Sequence, residues 1–135
     1  MLIRVLQRLD QARTLPNYTN YLVFIFAYAT DQAVDLRSTA GLVLKNNLRT
    51  DFQDLSVDVL AYVKQGAEKA LVDQHDLIRS VAGTIITTIV TRGGIMNWPE
   101  ILQRFMDMAE SPDPIIQEVV PLPPIMTTEI DKSLR

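Results

Sequence analysis

Four polar residues, Lys45, Asn46, Asn47 and Arg49, are the strongest candidates for recognition chemistry. Lys45 and Arg49 stand four apart, so on a helix both cations share a face. With the two amides they can offer charge-assisted and amide hydrogen bonds to a partner surface. A solvated helix face would carry the same residue types. A second set, Thr84, Thr87, Thr88 and Thr91, falls on one side of a later helix. It either continues that polar surface or consists of small residues tolerated at a helix seam. Arg37 and Arg79 recur at equivalent positions near two helix starts. A cation there opposes the helix dipole, so another interaction must hold it. Recurrence favours an inter-repeat ladder, with neighbouring carboxylates or carbonyls as acceptors, over contact with a partner. Val23, Phe24 and Phe26 form an apolar cluster that packing against a neighbouring repeat would explain.

Catalysis lacks its parts. His75 is the single histidine, set in a turn between Asp73 and Asp76, and there is no cysteine. That excludes disulfides, thiolate metal sites and cysteine nucleophiles. No Gly-rich phosphate loop, paired catalytic carboxylates or nucleophile–base arrangement is evident. The expectation is therefore no enzyme activity, no cofactor and no metal. The 13 basic and 16 acidic residues are spread along the chain, so nucleic-acid binding lacks its electrostatic footprint. The longest apolar run, Tyr21 to Ala29, is far short of a membrane span. The start has no signal-peptide apolar region, which makes the Asn17-Tyr18-Thr19 sequon idle and points to a soluble intracellular protein. Pro121-x-x-Pro124 fits a polyproline ligand pattern only weakly.

The elements that position these residues follow from an internal repeat. Arg37-Ser38-Thr39-Ala40-Gly41 returns 42 residues later as Arg79-Ser80-Val81-Ala82-Gly83. Leu36, Val43, Leu44 and Leu48 likewise match Ile78, Ile85, Ile86 and Val90. The same offset carries Tyr18, Tyr21 and Ile25 onto Leu60, Val63 and Ala67, then onto Leu102, Phe105 and Ala109. Each triple is apolar at helical spacing. The period suits two-helix solenoid units, with an outer A helix and an inner B helix in each.

In order, residues 1–12 look like the last turns of an earlier B helix. The first A helix is expected over 16–30, with Tyr18, Tyr21, Leu22 and Ile25 on one face. The first B helix, capped by Asp31 or Asp35, runs to about Phe52. The second A helix covers about 57–72. Residues 77–92 are rich in β-branched residues, yet their apolar positions follow the helical period, so a helix ended by Gly93-Gly94 as a left-handed cap is expected. Gly41 and Gly83 suggest close helix approach at one level of each repeat. Asn97 is placed to cap a third A helix over 98–110, anchored by Trp98. The third B helix should carry its signature at 121–125, but three prolines stand there. The domain boundary is thus placed between 1–119 and an extended or disordered tail, 120–135.

Leu42-Val43-Leu44-Lys45-Asn46-Asn47, then Ile78-Arg79-Ser80 with Gly83 and Ile85-Ile86-Thr87-Thr88-Ile89, then Asn97-Trp98-Pro99, together resemble the amino-terminal region of importin-β-type nuclear transport receptors, within them the transportin branch. The likeness runs from about Val5 to Glu118. It implies an all-α, right-handed superhelical HEAT solenoid fragment of about two and a half helix pairs. It also implies binding of the small GTPase Ran in its GTP state, which would use Lys45, Asn46, Asn47, Arg49, Thr87, Thr88 and Thr91 on the B helices. Phenylalanine-glycine nucleoporins would bind outer helices, here Val23, Phe24 and Phe26. Cargo regions would lie outside this chain, and the protein would move between cytoplasm and nucleus. A HEAT scaffold for some other assembly, or a truncated product without independent activity, is the alternative.

Overall fold

The computed structural model describes residues 17–109. Five helices follow in order. The first, α1, is α-helical over Tyr18–Val23 and continues as a π-helix over Phe24–Tyr28. Then come α2 (Val34–Asp51), α3 (Val57–Ala70), α4 (Asp76–Gly93) and α5 (Pro99–Ala109). No strand occurs among the described residues. The helices repeat as the sequence does. The first residues of α2 and α4 lie 42 apart, as do those of α3 and α5. α2 packs along α4, while α1 and α3 pack together behind them. This is the stacked helix-pair arrangement of a HEAT solenoid, with α1, α3 and α5 as A helices and α2 and α4 as B helices.

Each B helix buries the stripe that its period specifies. In α2, Ala40, Leu44 and Leu48 are buried; in α4, Ile78, Val81, Ala82, Ile85, Ile86, Ile89 and Val90 are. The β-branched run is helical because one apolar stripe fits the core while the threonines take the other side. Gly94 ends α4 with φ 81 and ψ 145, a positive-φ exit that is extended rather than left-handed helical. Ser56 caps α3, its hydroxyl oxygen accepting from the Val59 N–H.

Several expectations are corrected. In α1 the buried residues are Leu22, Val23, Phe26 and Ala27, whereas Tyr21 is 57 % exposed. A helix that is apolar on most sides does not reveal its inward face by spacing. The π-turn, closed by the Ala29 N–H to the Phe24 carbonyl, also shifts the phase. Neither Asp31 nor Asp35 caps α2. Ala33 holds that position without a side-chain bond, and Asp35 lies inside the first turn, where a carboxylate still favours the dipole. Asn97 turns its amide back to the Gly93 carbonyl, at the end of α4. Gly41 does mark a close approach, since a Cβ there would stand 2.6 Å from Phe26 and 2.7 Å from Val81. Gly83 does not, because nothing lies within 4 Å of the equivalent point. The expectations for residues 1–12, Pro16, the Ala109 side chain and everything from 110 on, including the boundary at 119, fall outside the described residues.

Arg37 joins the two repeats. Its guanidinium is 1 % exposed, and Nε donates to the Phe26 carbonyl at 3.1 Å. The two terminal nitrogens donate to both Asp73 carboxylate oxygens, at 3.4 and 2.6 Å. One side chain thus ties α2 to the end of α1 and to the α3–α4 turn. Arg79 donates at 2.8 Å to the Asp73 carbonyl, so both recurring arginines meet at one turn.

Candidate functional site

The sequence-selected polar residues converge where α2 and α4 lie side by side, on the face turned away from the A helices. Lys45 and Arg49 project from α2 because they are four apart, with Leu44 and Leu48, one residue before each and about 100° round the helix, held in the core. From α4 come Thr84, Thr87 and Thr88, one side round from the buried isoleucines. These five side chains line an open groove of about 490 Å³ together with Ser80 and Gly83. The groove therefore joins Lys45, Arg49, Thr87 and Thr88 from the two B helices. It adds Thr84 and the repeat positions Ser80 and Gly83.

The other candidates go elsewhere. Asn46 is exposed beside the groove, and its carbonyl accepts from Thr50. Asn47 turns to a second cavity of about 430 Å³, which it lines with Asn20, Leu48, Asp51 and Asp54. Thr91 is exposed one turn beyond the groove.

The threonines of α4 use their hydroxyl protons internally. Thr84 donates to Val81, Thr87 to Gly83, Thr88 to Thr84 and Thr91 to Thr87, all at 2.7–2.8 Å. The groove therefore offers methyl groups and oxygen lone pairs on its α4 wall. Its strong donors are Lys45 and Arg49 on the α2 wall. Among the described residues, the ion pairs use Arg37 and Arg79, not these two cations.

On the outer side, Val23 and Phe26 are each 1 % exposed, filling the spaces left by Gly66 and Gly41. They cannot present side chains to a nucleoporin without leaving the core. Phe24 is 52 % exposed and belongs to an aromatic row. Its ring stacks on Tyr28 at 6.4 Å between centroids, and Tyr28 stacks on Tyr62 at 5.6 Å. Lys69 sits over Tyr28 and donates to the Ala27 carbonyl, linking α3 to α1. Burial, and then the neighbouring Tyr62 phenol, raise the Tyr28 pKa above its ordinary value. Trp98 is buried and lies beneath Lys64, 5.4 Å from the ring centre, which joins the start of α5 to α3.

No group of three or more potential metal ligands occurs among the described residues. No helix among them is long and apolar enough to cross a membrane.

Comparison with known proteins is informative over most of the chain. The family model for the importin-beta N-terminal domain matches residues 6–90. Importin subunit beta-2 of Schizosaccharomyces pombe is 41 % identical over 115 residues, covering 84 % of this chain and 13 % of that protein. Transportin-1 of Homo sapiens is 34 % identical over 109 residues, covering 81 % and 12 %. Transportin of Dictyostelium discoideum is 33 % identical over 99 residues, covering 73 % and 10 %. The chain thus spans 10 to 13 % of the length of these relatives.

Proposed function

From the premise that this chain belongs to the importin-β family, we propose that it forms part of the amino-terminal arch with which a transportin-like import receptor binds Ran in its GTP state. One observation carries the reading: two B helices bring Lys45, Arg49, Thr87 and Thr88 together along a single groove. A stack of helix pairs is rigid enough to hold such a surface in register while its neighbours extend it. The groove provides positioned cations on an open surface, which suits the binding of a partner protein. Cargo recognition is assigned to parts of the receptor beyond this chain, and the receptor would act in both cytoplasm and nucleus. For phenylalanine-glycine nucleoporins the contact narrows to Phe24 with Tyr28 and Tyr62, since Val23 and Phe26 are core residues.

Calorimetric titration of the purified chain with Ran loaded with GTP, and separately with GDP, tests the reading. Binding in the GTP state alone is expected. Equal binding in both states, or none by a chain with full helical circular dichroism, would favour a HEAT scaffold serving another assembly.

A further inference from the structure

The α2–α4 groove is asymmetric in its chemistry, and that asymmetry selects what can lie in it. Its strong donors, Lys45 and Arg49, stand on the α2 wall without an ion-pair partner among the described residues. The opposite wall, beside Ser80 and Gly83, carries Thr84, Thr87 and Thr88, whose hydroxyl protons are already given to carbonyls of α4. A cationic segment would meet like charge on one wall and find no compensating carboxylate among the groove's lining residues. An apolar segment would strip water from two cations and return nothing. A carboxylate placed between Lys45 and Arg49 gains charge-assisted bonds from both. The rest of its segment could then lie against the threonine methyls and the open space above Gly83. The groove is wide open, so a free small anion would be held only by screened surface charge. A carboxylate fixed on a folded segment brings further contact area with it. The contrast with the whole molecule is informative, because the chain carries a net charge of −3 while this groove is cationic.

We infer that the groove between α2 and α4 is a docking site for an acidic segment of a partner protein, with a partner carboxylate seated between Lys45 and Arg49. The inference rests on the proposed role of the B-helix face as the partner surface, and it adds the chemistry of the partner segment. Electrostatic complementarity of this kind acts on association rate and salt dependence as much as on affinity.

The test uses the full chain and a fluorescein-labelled helical peptide with glutamate at every fourth position. A matched peptide with lysine at those positions serves as control, and anisotropy reports binding. The glutamate peptide should bind, the lysine peptide should not, and raising salt from about 50 to about 300 mM should weaken binding. Lys45→Gln/Arg49→Gln should weaken it roughly tenfold or more. Arg104→Gln, which removes an exposed cation on α5, should change it less than about twofold. Circular dichroism confirms that each variant retains its helices. Absence of glutamate-peptide binding, or binding that ignores the double substitution, overturns the inference. Ran separates this result from the preceding reading. If Ran–GTP binding ignores the double substitution while peptide binding is lost, the groove serves a different acidic partner and its assignment to Ran fails. If Ran–GTP binds and the peptide does not, the assignment to Ran can stand while the acidic-segment inference falls.

Discussion

Replacing Asp73 by alanine should be among the most damaging single changes outside the apolar core. Arg37 would keep its charge at 1 % exposure and lose both carboxylate contacts, leaving the Phe26 carbonyl as its acceptor. Stranding a buried charge costs roughly 3–5 kcal/mol. The lower end applies here, because Asp73 lies in a turn that can admit water. A loss of about 3 kcal/mol lowers the midpoint of a chain this size by roughly 10 °C. Helical circular dichroism during heating and in urea reads both quantities. The double variant Arg37→Met/Asp73→Leu should recover most of the loss, because it replaces the ion pair with apolar groups of similar volume. Burial pushes the Asp73 carboxyl up. The Arg37 and His75 N–H bonds, aided by nearby positive charge, outweigh this and hold its pKa below the usual carboxylate value. A carboxyl whose pKa falls on folding contributes stability that is present above its unfolded pKa and lost as pH drops through the folded one. The wild-type urea midpoint should therefore decline below about pH 4, and the part of that decline due to this pair should vanish in Asp73→Ala. A wild-type-like Asp73→Ala, within about 0.5 kcal/mol, would refute the view that this pair locks the repeats together.

Five further substitutions test local packing and capping. Gly41→Ala should cost about 1–3 kcal/mol by driving a methyl into Phe26 and Val81. Gly83→Ala meets open space and should instead stabilise the chain by roughly 0.5–1 kcal/mol through helix propensity; a urea series on the pair reads the opposite signs. Ser56→Ala removes the cap of α3 and should cost about 1 kcal/mol in the same assay. Phe24→Ala, at a half-exposed position, should leave the thermal midpoint within a few degrees of wild type, whereas Phe26→Ala should lower stability by roughly 3–5 kcal/mol.

The B helices were legible because two copies of one pattern identify each other, and the buried stripe of α4 confirms the helical period over β-branched propensity. The first A helix was not legible to the same depth. Its apolar residues surround most of the axis, and a π-turn is not encoded in simple periodicity, so Leu22 is buried as its face requires while Tyr21 of that face is exposed and Val23 and Phe26 of another face are buried. Arg37 could be read as a ladder residue from its recurrence, but Asp73 could not be named as its acceptor, since it lies 36 residues away in a turn. Within the groove, Lys45 and Arg49 followed from helical spacing. Asn47 was grouped with them by adjacency, although about 200° of helix separates it from Lys45. Gly83 shows that recurrence in sequence does not guarantee recurrence of environment, because the neighbour that crowds Gly41 has no counterpart within 4 Å of it.

The most direct test of the central claim is to map amide chemical shifts of the isotopically labelled chain as GTP-loaded Ran is added. The account predicts shifts concentrated at Lys45, Arg49, Gly83, Thr84, Thr87 and Thr88, and none with GDP-loaded Ran at the same concentration. Shifts confined to the outer residues of α1 and α3, or a spectrum unchanged by either form, would contradict it.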